Sequence, residues 1–172
     1  VAALVVLSWL LGPFAAATGV QGELHPLLQT DLMVIHPPVV FSYYALCLAT
    51  ASVALAGVLR RDSAEAIHEA QLHWARAGFV LGSIGIGLGG LWAYTVLDWG
   101  GYWAWDPVET GSILPWLALL LIVNVRAKPG SSAVSAAPAA GLIAGALAFH
   151  ATLVTRANGV WASVHAFVAD GE

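Results

Sequence analysis

Five long apolar stretches, separated by polar segments, dominate this sequence. They cover residues 1–17, 38–59, 77–97, 109–125 and 138–156. A helix needs roughly 17–25 mainly apolar residues to cross about 30 Å of hydrocarbon, and each stretch is close to that length. We therefore predict an all-α fold, a polytopic transmembrane helical bundle with about five spans.

The composition excludes a soluble globular domain. Of 172 residues, 59% are hydrophobic and 9% are charged, whereas soluble domains average about 45–50% and about 25%. Membrane lipid is the expected surrounding, and nucleic acid is not an expected partner, because six Lys and Arg residues are too few for a basic patch. The single cysteine, Cys47, excludes a disulfide scaffold and a zinc site built on cysteines.

The first residues, Val1-Ala2-Ala3, include neither a methionine nor a basic segment of the kind that opens a signal peptide. We expect residues 1–172 to form a single transmembrane domain, taken from the central part of a longer chain.

The basic residues orient the predicted bundle. Five of the six lie in two alternate polar segments, 60–76 and 126–137, as Arg60, Arg61, Arg76, Arg126 and Lys128. Cytoplasmic loops are enriched in Lys and Arg, so these segments are predicted to be cytoplasmic. The segments 18–37, 98–108 and 157–172 then face the outside of the plasma membrane, with Arg156 as the exception to the rule.

One outer segment is unusually rich in aromatic residues. Residues 99–110 read Trp-Gly-Gly-Tyr-Trp-Ala-Trp-Asp-Pro-Val-Glu-Thr. Tryptophans also form belts at membrane interfaces, but this density beside two glycines favours a platform for a large planar ligand. The candidate ligand-binding residues in it are Trp99, Tyr102, Trp103, Trp105, Asp106 and Glu109.

The end of this segment also predicts the start of a helix. Asp106 suits the N-cap, Pro107 the first helical position and Glu109 the third. That pattern would fix the aromatic platform to the helix that follows. For Glu109, a role in the helix start and a role in the site both remain open.

Two outer histidines flank the aromatic segment in sequence. His36 precedes Pro37-Pro38, either of which is predicted to open the second span, and His165 follows the fifth span. Each alone could be a helix cap or an ordinary loop residue. Because neutral imidazoles are axial ligands of heme iron, the pair on one face predicts a bis-histidine heme site.

A third histidine, His150, lies inside the fifth span. An ionisable side chain within the membrane is a functional candidate by default, as a metal ligand for example, although it could equally hydrogen-bond a neighbouring helix. His68 and His73 are five positions apart, on different faces of a helix, so a shared metal ion is not expected.

The third span contains a literal G-x-G-x-x-G match at Gly85, Gly87 and Gly90. That fingerprint binds dinucleotides only between a strand and a helix, and here it lies inside an apolar stretch. We interpret the small residues as helix-packing positions, namely Gly78, Gly82, Gly85 and Gly89.

Four segments, two of which overlap, resemble the heme-handling proteins of cytochrome c maturation. Residues 99–109 are similar to their tryptophan-rich WWD signature, and residues 25–38, 105–117 and 159–167 resemble the CcmF family in particular. The resemblance implies that His36 and His165 ligate heme on the extracytoplasmic face. It also implies that Trp99, Trp103, Trp105 and Asp106 form the heme platform.

The resemblance further implies an enzyme, a holocytochrome c synthase-type heme lyase that acts within a complex. Such a protein accepts heme b from a chaperone of the CcmE type and presents it to the CxxCH cysteines of apocytochrome c. Thiol-reducing and CcmH-type subunits are the other implied partners. The chain has no CxxCH of its own, so the reacting cysteines would come from the substrate.

The resemblance to CcmF also implies a second heme inside the membrane, ligated by histidines of transmembrane helices. Asn124 stands near the position where its first histidine ligand is expected. A second heme would then be absent, be ligated by His150, or have its ligands outside this sequence. The alternative functions are heme delivery of the CcmC type without ligation, and a membrane b-type cytochrome.

Overall fold

The computed structural model describes residues 2–11, 25–97, 99–125, 132–157, 160 and 163–165. The described residues form helices and no strand. The helices are α1 (Ala2–Leu11), α2 (Asp31–Arg60), α3 (Ala64–Thr95), α4 (Pro107–Asn124), α5 (Ser132–Ser135) and α6 (Ala137–Arg156), with a 3-10 turn at Pro26–Leu28.

Four helical segments are long and apolar enough to cross a membrane: Asp31–Arg60, Ala64–Thr95, Pro107–Asn124 and Ala133–Arg156. They confirm the predicted all-α membrane bundle and four of its five spans. The first predicted span is represented only by the ten residues of α1, since residues 12–17 lie outside the described part of the chain.

The predicted start of the second span was wrong. Helix α2 begins at Asp31, where the Thr30 side chain accepts a hydrogen bond from the Leu32 N–H. Pro37 and Pro38 therefore lie inside the helix, and His36 is helical. Proline already has the helical φ angle, and membrane helices tolerate the loss of the backbone hydrogen bonds that it cannot make.

The polar segment 60–76 was predicted as a loop, but most of it is helical. Arg61 ends α2 in the left-handed conformation (φ 60°), and Ser63 caps α3 by accepting from the Ala66 N–H at 3.2 Å. The 32 residues of α3 extend about 48 Å at 1.5 Å per residue. This helix is longer than the hydrocarbon layer is thick, and its polar residues are concentrated in its first turns, residues 64–76.

The four long helices form a ring in which α2 packs against α3 and α6, and α4 packs against the same two helices. Glycines allow the close approach: a Cβ atom on Gly78 would lie 2.9 Å from Leu119 Cδ1, and one on Gly82 would lie 2.9 Å from Tyr43 Cε2. The predicted packing role of the α3 glycines is confirmed at these contacts.

Buried polar side chains join helix ends at one end of the ring. His68 Nε2 is 3.0 Å from the Val125 carbonyl oxygen, and Gln71 Nε2 donates to the Ala137 carbonyl oxygen at 2.9 Å. His73 is exposed on another face of α3 and contacts Trp74. No cluster of three potential metal ligands occurs among the described residues.

The opposite end of the ring is formed by the beginnings of α2 and α4 and the ends of α3 and α6. We call it the site end. Tyr43 braces it by donating its hydroxyl to the Ser112 carbonyl oxygen at 3.0 Å, which links α2 to α4. Of the described residues before α4 and after α6, Trp99, Trp103 and His165 lie at this end.

Candidate heme site

A cavity of about 350 Å³ opens at the site end between all four long helices. Its volume lies within the range of small-molecule sites, about 300–1,000 Å³. Most of the lining is apolar or aromatic. The lining residues with polar or aromatic side chains include His36, Tyr43, Trp92, Trp99, Trp103, Glu109, Thr152, Thr155, Arg156 and His165.

His36 enters the cavity from the first turns of α2. Its ring contacts Trp92 edge-on, with 5.9 Å between ring centroids, and a Cβ atom on Gly89 would lie 3.0 Å from its Cε1. Within the described part of the chain, the buried Nδ1 atom has no hydrogen-bond partner of good geometry, although the Gly85 backbone is near. A buried imidazole nitrogen without a partner is unfavourable by about 1–3 kcal/mol, which is typical of a position that serves a ligand.

His165, which is far from His36 in the sequence, also lines the cavity, and the Asp106 carboxylate holds its ring. Its Nδ1 is 2.8 Å from Asp106 Oδ2, and its backbone N–H donates to the Ser163 hydroxyl at 3.1 Å. Because an ionised carboxylate only accepts, Nδ1 carries the proton, and the neutral form of the ring then has its lone pair on Nε2. This carboxylate–histidine arrangement is the one that orients metal-ligating imidazoles.

Asp106 connects this histidine to the start of α4. Its Oδ1 accepts from the Glu109 N–H at 2.8 Å, and its Oδ2 accepts from the Ser163 hydroxyl. The predicted N-cap is thereby confirmed. Burial acts to raise the pKa of Asp106, but the hydrogen bonds from Glu109, Ser163 and His165 outweigh it and lower the pKa below its usual value.

The predicted aromatic platform is divided in the structure. Trp99 lines the cavity and contacts the His165 ring edge-on at 4.8 Å, and Trp103 lines it with a buried indole N–H that has no hydrogen-bond partner among the described residues. Trp105 is 74% exposed and has a left-handed backbone (φ 57°) that is rare for a bulky residue. Tyr102 lies outside the cavity and stacks on Tyr94 at 4.3 Å.

Glu109 takes the predicted place in the helix start. It occupies the third position of α4, and it also lines the cavity. Its Oε2 accepts the Ala104 N–H at 2.8 Å, which fixes the backbone between Trp103 and Trp105. The side chain is therefore buried by the segment that it positions.

The remaining candidates lie apart from the cavity. His150 faces a second groove between α4 and α6, together with Trp105 and Val154. Asn124 lies at the far end of α4, where its side chain donates to the Leu120 carbonyl oxygen at 2.8 Å. The structure does not bring Asn124 and His150 together.

Sequence reasoning missed the contribution of α6 to the cavity. Thr152, Thr155 and Arg156 line it, at the spacing that places three residues on one helical face. The available signal was Arg156 itself, the one basic residue on the predicted outer side.

Comparison with known proteins identifies the family of this chain. A family model described as "Cytochrome C assembly protein" matches residues 1–163. The probable cytochrome c-type biogenesis protein NrfE of Escherichia coli is 38% identical over 151 residues, which is 86% of this chain and 27% of that protein. The cytochrome c-type biogenesis protein CcmF of Haemophilus influenzae is 36% identical over 151 residues, or 86% of this chain and 23% of that protein.

A third relative, CcmF of Pseudomonas aeruginosa, is 36% identical over 155 residues, covering 87% of this chain and 23% of that protein. The chain thus spans about a quarter of the length of these relatives. No solved structure matches it significantly. The family match over nearly the whole sequence confirms the resemblance noted from the motifs, and the chain belongs to the cytochrome c assembly protein family, as an integral membrane member.

Proposed function

We propose that this chain binds heme in the site-end cavity and takes part in joining it to apocytochrome c, as part of a heme lyase. The observation that carries the proposal is the meeting of His36 and His165 in one cavity, although they are far apart in sequence. Trp99 and Trp103 provide aromatic surface beside them. Relatives named as cytochrome c-type biogenesis proteins support the same assignment.

The donor set fits heme. In its neutral form His165 has a lone pair on Nε2, because Nδ1 donates to Asp106, and His36 brings a buried imidazole whose Nδ1 has no hydrogen-bond partner of good geometry among the described residues. Two neutral imidazoles are a common axial pair for low-spin iron. The tryptophan rings would pack against the porphyrin edge or face, and the apolar lining excludes water from it.

The reaction requires orientation more than acid–base catalysis from this chain. A cysteine S–H adds across a heme vinyl double bond, with sulfur joined to one carbon and the proton to the other, and no net oxidation occurs. The side chains of this chain would hold the porphyrin, fix its axial ligands and exclude water. The nucleophile comes from the CxxCH segment of the substrate.

The arrangement of charge supports a working face outside the plasma membrane. Arg60 and Arg61 lie at the end of the bundle opposite the cavity, and positive residues favour the cytoplasmic side. We propose that heme b arrives there as a substrate from a chaperone of the CcmE type. Apocytochrome c and thiol-reducing and CcmH-type subunits would complete the complex.

The test is a ligation assay with the full-length protein purified in detergent. Heme-loaded chaperone and reduced apocytochrome c are added, and heme that remains on the cytochrome after denaturing electrophoresis is measured. We expect covalent heme with the wild type, little with His36→Ala or His165→Ala, and the wild-type amount with His73→Ala. Heme exchange with the chaperone without any covalent product would instead indicate a delivery protein. Heme that stays permanently bound to this protein would indicate a b-type cytochrome.

A further inference from the structure

Arg156 is the one permanently cationic side chain among the described residues that line the cavity. It is the last residue of α6 and is exposed at the cavity edge. Thr152, one turn before it, and the adjacent Thr155 line the same cavity, so the face of α6 that carries Arg156 is the cavity face. The cavity thus has a positively charged edge at the end of α6.

The guanidinium of Arg156 makes no salt bridge within the described part of the chain. Arg60, which also ends a membrane helix, differs in this respect, because it pairs with Asp62 at 2.8 Å. An arginine in the last turn of a helix is favourable through the helix dipole alone. That effect does not require the side chain to line a cavity, so the position of Arg156 needs a further explanation.

The other charged group of the cavity points to the nature of the ligand. Glu109 also lines the cavity, from the start of α4, and repels a second carboxylate placed near it. An anionic group of a bound molecule is therefore favoured at the Arg156 edge. Arginine recognises carboxylates by charge-assisted, often bidentate hydrogen bonds.

Heme carries its two propionate carboxylates on one edge and its vinyl groups on other positions of the ring. We infer, on the basis of the proposed function, that Arg156 binds a heme propionate and so sets the rotational orientation of the porphyrin in the cavity. In the ring of helices, α6 is diagonal to α3. Holding the acid edge at α6 would place the opposite, vinyl-bearing edge of the ring toward α3.

The test compares two ligands that differ only in their carboxylates. Full-length protein in detergent is titrated with ferric heme and with its dimethyl ester, and binding is followed by absorption spectroscopy. We expect the wild type to bind the free acid about tenfold more tightly, the order of one charge-assisted hydrogen bond at a partly exposed site. Arg156→Gln should bind the two ligands equally, and Arg156→Lys should retain part of the preference.

Arg60→Gln is the matched control, since it removes an arginine from a helix end far from the cavity, and it should keep the full preference. Unchanged binding of the ester by Arg156→Gln shows that the variant is folded. Equal preference in Arg156→Gln and the wild type overturns the inference and leaves the proposed heme site standing. If the wild type binds neither ligand, the proposed function fails and the inference with it.

Discussion

The contact between Asp106 and His165 gives the sharpest prediction, through the substitution Asp106→Asn. Asparagine is about as good an N-cap as aspartate, so its Oδ1 can still accept from the Glu109 N–H and preserve the start of α4. The amide nitrogen then replaces Oδ2, which accepts from His165 Nδ1 and from the Ser163 hydroxyl. Two donors would face each other, and His165 relieves this by moving its proton to Nε2.

The expected magnitude follows from the burial of the pair. Loss of a partner that orients a metal-ligating histidine lowers metal affinity by about 10–100-fold, or about 1.4–2.8 kcal/mol. The Asp106 side chain is 6% exposed and that of His165 is 31% exposed. Solvent screens the more exposed partner, so we expect the lower part of the range, about 10–30-fold.

The assay is an optical titration of full-length protein with ferric heme, together with a thermal melt. Asp106→Asn should raise the Kd for heme by this factor and lower the free energy of unfolding by no more than about 3 kcal/mol, the value of one charge-assisted hydrogen bond. Asp62→Asn removes an exposed carboxylate at the opposite end of the bundle and should leave the Kd unchanged. Wild-type heme affinity in Asp106→Asn would refute the proposed role of the carboxylate.

Three further substitutions or conditions test the surroundings of the site. Gly89→Ala places a Cβ atom 3.0 Å from His36 Cε1 and should weaken heme binding about tenfold by displacing the ring. The control Gly87→Ala, whose Cβ atom would have nothing within 4 Å, should leave the heme titration unchanged. Equal effects of the two substitutions on heme binding would contradict the packing argument. His150→Ala should retain the heme spectrum, because His150 faces the separate groove, and loss of the signal would move the heme there. The lowered pKa of Asp106 means that its contribution to stability is present above the usual carboxyl pKa of about 4 and is lost as the pH falls through the lower folded value. The difference in Tm between wild type and Asp106→Asn should therefore be constant above about pH 5 and shrink in more acidic buffer. A difference in Tm that grows on acidification would contradict the lowered pKa of Asp106.

Local signals explain the parts of the fold that were predictable from the sequence. Asp106-Pro107 and Glu109 carry the whole N-terminal signature of a helix in adjacent residues, and the structure forms it at those positions. The positions of four membrane helices were also predictable, because each is marked by a local apolar stretch. The length of α3 was underestimated, because a hydropathy pattern records the apolar part of a helix and not the polar turns before it.

Other features depended on contacts between distant residues and were not accessible. Pro37 and Pro38 suggested a helix start, whereas Thr30 provides the cap about two turns before Pro37. Trp105 belongs to the same aromatic run as Trp103 but turns outward, because its left-handed backbone reverses the direction of the side chain. The place of Arg156 at the cavity edge follows from the packing of α6 against α2 and α4.

The central claim, that His36 and His165 hold one heme in the site-end cavity, is tested most directly by the reduced absorption spectrum of the full-length protein, co-expressed with its heme chaperone and purified in detergent. We expect a low-spin heme signal in the wild type and in His73→Ala, whose histidine is exposed on α3 away from the cavity. The signal should be lost in His36→Ala and in His165→Ala. An undiminished low-spin signal in either variant would contradict the bis-histidine site.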